Sequence, residues 1–260
     1  MLAKERQSNI EKIVKDRGSV SVQELSRDFG YSEVTIRKDL DELAQENRII
    51  RTHGGAMMKY KTRNYTDISE LSVIHLREKQ MIARRAIEFI EDGDSVILDG
   101  SSTIHQLVSL INEKDYQNLT IITNSLRTAQ LVTKKNIEIV MIGGVMNRAI
   151  GTTEGPKAES QLRSMSADKC FIGTSGIDEN FGFSTDYFFD ASIKACMCAS
   201  ARKSYVIADY TKFNRRFLVK VFGFETGHSC TAIITDSRNE NVDYRGIEKK
   251  IPIIFSDENE

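Results

Sequence analysis

Apolar positions in the first sixty residues recur at the spacing of helices. Ile10, Ile13 and Val14 make one apolar face, Val22, Leu25 and Phe29 a second, and Ile36, Leu40 and Leu43 a third. The run Ser21-Val22-Gln23-Glu24 has the form of a capping box and opens the second helix. Gly30 suits the left-handed residue that ends it, and Ser32 is placed to cap the third, with Glu33 at that helix's positive end. Helix, capped helix, glycine turn and capped helix form a helix-turn-helix pattern. In NRIIRTHGGA (residues 47–56), Ile49 and Ile50 suit a strand and Gly54-Gly55 a tight turn, so a short hairpin follows.

From about residue 76 the rhythm changes. REKQMIARRAIEFIEDG reads as a helix ending at Gly93, and SVILDG as a short buried strand. Helical and strand segments then alternate: IHQLVSLI, LTIIT, SLRTAQLVT, IEIVMIGG, PKAESQLRSM, DKCFIG, YFFDASIKACMCASAR and SYVIAD, with LVKVF, TAIIT and IPIIF as later strands. This alternation predicts an α/β domain with a mostly parallel sheet covered on both faces. Residues 58–75 lack a period. The chain therefore reads as a small domain at 1–57, a linker at 58–75 and a larger α/β domain at 76–260.

Charge sharpens the first part. The net charge of the chain is −1, yet residues 1–63 hold 13 Lys+Arg against 10 Asp+Glu, and Arg48, Arg51, Lys59, Lys61 and Arg63 follow one another with no acid between. A local basic stripe beside a helix-turn-helix suits double-stranded DNA, entered by the N-terminal turns of the third helix. Tyr31, Thr35, Arg37 and Lys38 stand near those turns, Ser32 caps them, and Arg48 and Arg51 flank the hairpin as a wing would. Asp39, Asp41 and Glu42 are expected to repel DNA and to confine contact to the first turns. Cys170, Cys196, Cys198 and Cys230 have no CxxC spacing and read as structural thiols in a reducing compartment. No apolar run is long enough for a membrane span and MLAKERQSNIEK lacks the apolar core of a signal peptide, which places the protein in the cytoplasm.

In α/β folds ligands gather at the carboxyl ends of the strands. Those positions hold Asp99-Gly100-Ser101-Ser102-Thr103, Asn124-Ser125, Gly143-Gly144 with Asn147 and Arg148, then Gly173, Ser175, Gly176 and Asp178. Lys194 lies on a helix, and Asp209 and Lys212 follow a strand. Each has a plain alternative, such as a turn, a cap or a solvated lysine. Their recurrence at successive strand ends favours a site for a phosphate or similar anion. Neither GxGxxG nor GxxxxGK[ST] is present, so a dinucleotide or ATP is not indicated, and no cofactor or metal is expected.

SVSVQELSRDFGYSEVTIRKDLDELAQENRIIRTHGGA resembles the N-terminal signature of DeoR-family bacterial transcription regulators, most closely in TIRKDL and RTHGGA. The resemblance puts Thr35, Arg37 and Lys38 on the recognition helix, and Arg51, His53 and Gly54 in a wing. A turn histidine packed on the hairpin is the alternative for His53. DGSST, IGGVMNR, DKCFIGTSGID with GFST, and IKACMCASA with ADYTKF resemble the same family's effector domain, a relative of the ribose-5-phosphate isomerase and CoA-transferase fold. By that resemblance Asp99, Gly100, Ser101, Ser102, Thr103, Asn124, Arg148, Gly176 and Lys194 contact a phosphorylated sugar. The family often has Glu just before this lysine, whereas here the run is Phe188-Phe189-Asp190-Ala191-Ser192. Asp190 is available to stand in for one, and the aromatic pair is equally placed to reshape the pocket.

The function implied is a repressor of a sugar-metabolism operon, acting as a homodimer or higher homo-oligomer on operator DNA, with its operator affinity controlled by a phosphorylated sugar. The alternative is a sugar-phosphate isomerase or transferase with a DNA-binding appendage, for which Asp99, Asp178 and Asp209 are the available carboxylates. The DGADE segment associated with ribose-5-phosphate isomerases is absent, so no catalytic residue is assigned.

Overall fold

The computed structural model describes residues 3–17, 19–46, 48–51, 54–58, 72–225 and 230–257. His53 and residues 59–71 of the expected linker lie outside them. The chain divides into two compact units, Met1–Asn64 and Tyr65–Glu260.

In the first unit α1 (Ala3–Arg17), β1 (Ser19–Ser21), α2 (Val22–Phe29) and α3 (Glu33–Gln45) precede β2 (Ile49–Arg51) and β3 (Gly55–Met58). The expected hairpin is a three-stranded antiparallel sheet, because β1 joins it in the order β1-β3-β2. Local chemistry explains where the helices start and stop. The Ser21 hydroxyl accepts from Glu24 N at 3.1 Å while Glu24 accepts from Ser21 N at 2.7 Å, closing the capping box. Gly30 ends α2 at φ 69°, and the Ser32 hydroxyl accepts from Thr35 N at 3.3 Å to start α3. Ile10, Val14, Leu25, Ile36, Leu40 and Leu43 are fully buried together, each contributing about 1.5–3 kcal/mol of transfer free energy.

The second unit is a parallel seven-stranded sheet. Its strands are β4 (Ser95–Leu98), β5 (Thr120–Thr123), β6 (Glu138–Met141), β9 (Ala167–Gly173), β12 (Ala201–Ile207), β14 (Cys230–Thr235) and β15 (Ile253–Phe255). They lie in the order β15-β14-β12-β9-β4-β5-β6. Successive residues of a strand face opposite sides, so Val96 and Leu98 enter one core and Ile97 the other. Helices α4 (Leu76–Ile87) and α5 (Ser102–Glu113) supply Ile82, Ala86, Leu107 and Ile111 to the first core. Helices α7 (Pro156–Arg163) and α8 (Phe188–Ala199) supply Ala158, Leu162, Ile193 and Met197 to the second. A short α6 (Leu126–Leu131) follows β5, and α9 (Arg245–Glu248) precedes β15.

Three features depart from the sequence reading. Helix α4 stops at Ile87, well before Gly93, because the chain tightens into turns that bury Ile90 and set the Asp94 carboxylate 2.6 Å from Lys169 Nζ. LVKVF does not enter the large sheet. Its strand β13 (Val219–Phe222) pairs antiparallel with β11 (Gly182–Thr185), which pairs with β10 (Gly176–Asp178). Finally β7 (Val145–Asn147) and β8 (Thr152–Glu154) form a separate hairpin.

Candidate functional site

In the first unit α3 buries Ile36, Leu40 and Leu43 and turns the other side of its first turns outward. Arg37 and Lys38 are exposed there, and Val34 is 77% exposed among them. Arg37 reaches Glu33 at 3.2 Å in an exposed i,i+4 pair, worth about 0.3–0.5 kcal/mol and readily exchanged for a phosphate or base edge. Lys38 stands 4.0 Å from Glu42. The Thr35 hydroxyl lies 3.0 Å from that of Ser32, and the Tyr31 ring lies under the Arg6 guanidinium at 4.3 Å. Val34 lies on this outward face and carries no charge that would single it out in the sequence. An exposed methyl pair at this position suits contact with a thymine methyl.

The acids on α3 do not behave as expected. Asp39 is buried and bound by Arg6, Asp41 pairs with Arg51 at 2.6 Å, and Glu42 accepts from Gln7 at 2.5 Å. Asp39 and Asp41 are thus paired with arginines, while Glu42 keeps its charge beside a neutral amide and stays half exposed. Arg48 is likewise engaged, with Glu11 and Glu46, and these hydrogen bonds raise its pKa. Arg51 also donates to the Gly55 carbonyl, and Gly54 is exposed in the hairpin.

In the second unit Asp99, at the carboxyl end of β4, organises the site. Its carboxylate accepts from Ser101 N and Gly173 N, both at 2.9 Å, and lies 3.5 Å from Lys194 Nζ. Lys194 Nζ lies 2.9 Å from Asp190, which also accepts from the Thr185 hydroxyl at 2.7 Å. Burial opposes the Lys194 charge, but Asp190 and Asp99 outweigh it and raise its pKa, so the ammonium is fully charged. Gly173 allows this approach, since a Cβ there would lie 2.6 Å from the Ser101 side chain.

Two polar atoms at this locus are buried with no hydrogen-bond partner among the described residues: Ser101 Oγ and Asn124 Oδ1. Ser101 occupies the N-cap of α5, yet its hydroxyl makes no capping bond, which leaves the first-turn amides at Ser102 and Thr103 without a side-chain cap. Asn124, 3% exposed, is fixed by its amide on the Thr153 carbonyl at 2.8 Å. Gly100 packs against Ser125 and Thr152, so the N-termini of α5 and α6 converge. Uncapped amides, a buried ammonium and orphaned oxygens are groups able to hold an anionic, hydroxylated small molecule.

Other candidates stand apart. Arg148 is exposed in the turn between β7 and β8, away from the Asp99 carboxylate and its partners. Gly176 packs against the Arg215 carbonyl and Phe217 in the small sheet, and Asp178 pairs with Arg216 at 2.9 Å. Asp209 caps the short turn of 3-10 helix at Tyr210–Lys212. Phe188 and Phe189 are exposed at the start of α8, while Tyr187 donates to buried Glu154 at 3.0 Å. Sequence reading missed Thr185, Glu154 and Tyr187, since each acts through a partner distant in the chain or on a strand with no regular period.

His105, on α5 one turn beyond Ser101, is 5% exposed, and neither ring nitrogen has a partner among the described residues. Burial first, and Arg127 second, lower its pKa to about 4. The unfolded chain takes up this proton near the ordinary value of about 6.5, so stability falls as pH drops from there toward the folded value, by up to about 3 kcal/mol. His105→Leu is expected to flatten that acid limb in urea titrations between pH 7 and 4. An unchanged limb assigns the acid sensitivity to other groups.

Residues 6–62 match the family described as the DeoR-like helix-turn-helix domain, and residues 74–237 match the DeoR C terminal sensor domain. The uncharacterized HTH-type transcriptional regulator YulB of Bacillus subtilis (strain 168) is 32% identical over 96% of this chain and 95% of its own. The glycerol-3-phosphate regulon repressor of Escherichia coli (strain K12) is 31% identical over 84% of this chain and 85% of its own. Among solved structures, a D-ribose-5-phosphate isomerase in complex with phospho-erythronic acid aligns over 52% of each chain at 19% identity and a TM-score of 0.40.

Proposed function

The chain belongs to the DeoR family of DNA-binding transcription regulators, and from that premise we propose that it is a repressor whose operator affinity is set by a phosphorylated sugar held at the Asp99–Lys194 site. The observation that carries the ligand class is the uncapped N-terminus of α5 beside orphaned Ser101 Oγ and Asn124 Oδ1, with the Lys194 ammonium facing Asp99. Such a site takes an anion at the amides and hydroxyls at the buried oxygens. A relative named for the glycerol-3-phosphate regulon supports the same class. Relatives are named as transcriptional regulators and repressors, so the isomerase alternative is set aside.

The mechanism is a population shift. Effector binds one arrangement of the second unit better than the other, and operator affinity changes only by that difference. Two DNA heads read two half-sites, so the working species is at least a dimer, placed in the cytoplasm with its operator. No helix among the described residues is long and apolar enough to cross a membrane.

A thermal-shift screen against phosphorylated sugars and their parent sugars tests the ligand. At a hundred times its dissociation constant the effector stabilises the protein by about 2.7 kcal/mol. A shift with no sugar phosphate, or an equal shift with the parent sugar, overturns the ligand class. For the DNA face, Arg37→Ala is expected to weaken cognate operator binding by about 1–3 kcal/mol with little loss on random DNA. Equal losses on both would make Arg37 a phosphate contact.

A further inference from the structure

Among the described residues the large sheet ends on β6, with no strand beyond this edge. The register fixes which backbone groups it shows. Glu138 N donates to the Leu119 carbonyl at 3.1 Å and Ile142 N to the Thr123 carbonyl at 2.8 Å. Glu138, Val140 and Ile142 are therefore the residues bonded to β5, and the N–H and C=O groups of Ile139 and Met141 point outward. The same two residues carry exposed apolar side chains, Ile139 at 36% and Met141 at 37%. Leu126, at the start of α6, is exposed as well. The strand has no proline, lysine or bulge and runs in unbroken register with β5; its one charge is Glu138 at its start.

We propose that β6 is a homodimer seam: it pairs antiparallel with β6 of a second copy about a two-fold axis at Val140, joining two sheets into one. The proposal takes from the preceding reading only that two DNA heads act together. Self-pairing follows from the chemistry of the edge. Two-fold pairing at Val140 sets Ile139 opposite the partner's Met141, so the outward N–H and C=O groups of both residues are satisfied at once. It also brings the two exposed side chains together as cross-strand pairs on one face. Within the strand, Glu138 falls opposite the partner's Ile142, so no like charges meet.

Two variants of the full chain test it. Proline is tolerated on an edge where its missing N–H faces away from the sheet. Ile139→Pro is thus expected to keep the circular dichroism spectrum and to halve the mass measured by light scattering. Val140→Cys is expected to form a disulfide-linked dimer under air oxidation, because directly opposed non-hydrogen-bonded residues have Cα atoms about 4.5 Å apart. The wild-type cysteines serve as the control. A folded Ile139→Pro protein with unchanged mass, or no crosslink above wild type, overturns the seam. Should Ile139→Pro lose structure, Met141→Lys is read by the same mass measurement and by the same rule. The sugar-phosphate thermal shift on the monomeric variant separates the readings. A retained shift with unchanged mass sinks the seam alone, and a lost mass with no ligand shift in wild type sinks the effector alone.

Discussion

Asp39→Ala is expected to unfold the DNA-binding unit while the larger unit stays folded. Asp39 is buried, and its carboxylate takes Arg6 Nε at 2.5 Å, Arg6 Nη2 at 3.0 Å and Gln7 Nε2 at 3.3 Å. Arg6 is buried too, lies over the Tyr31 ring, and has its pKa raised chiefly by the Asp39 hydrogen bond against the opposing effect of burial. Removing the carboxylate leaves a guanidinium in the core without a counter-charge, which costs about 3–5 kcal/mol. That is comparable with the whole stability of so small a unit. Urea unfolding followed by hydrogen exchange should show early exchange of α1–α3 amides and unchanged protection in β4 and β9. The double change Arg6→Met, Asp39→Leu should recover much of the loss, since well-packed apolar residues replace a buried pair at little cost. If Asp39→Ala shifts the urea midpoint no more than an exposed-pair substitution does, Arg6 has another anchor. The pair also holds Tyr31 beside the start of α3.

The sequence made the frame of both units readable because short-range rules governed it. The capping box at Ser21, the left-handed Gly30, the Ser32 cap and the 3.6-residue spacing of Ile36, Leu40 and Leu43 are all decided within a turn or two of chain. Strand runs such as SVIL and TIIT could be read for the same reason, being apolar on both sides and bounded by turn residues. What escaped was decided at long range. Asp39 looked like a solvated acid, and only the fold brings it to Arg6. VKVF has the apolar content of a strand, and only the fold shows that its partner is β11. The Asp99–Lys194 site was half legible: Gly, Ser and Asp after a strand mark a strand end, while the pairing of β4 with β9 that sets Asp99 against Gly173 N is invisible in one dimension. Thr185 and Asp190 fell into place only once α8 was seen to bring its lysine across to that strand end.

Lys194→Met should abolish the effector response while leaving operator binding intact. Methionine keeps the length of the apolar stem but removes the ammonium that Asp99 and Asp190 face. Two carboxylates are then left close together, Asp99 deeply buried, and the second unit should lose about 3 kcal/mol of stability at neutral pH. The thermal shift of about 2.7 kcal/mol expected at saturating effector should fall to nothing. Asp190→Asn separates the two roles. It leaves Lys194 charged against Asp99, so it should cost stability yet keep a weakened effector response. The pH dependence gives an independent check. Lys194 has a raised pKa in the fold, so the contribution of its charge is fully present below the ordinary lysine value of about 10.4 and is lost only as pH rises through the raised one. Effector affinity across pH 5 to 8 should therefore follow the second ionisation of the ligand's phosphate, near pH 6, rather than any change in the lysine. A response that survives in Lys194→Met would move the anion away from α8 and leave the uncapped amides of α5 as its sole anchor.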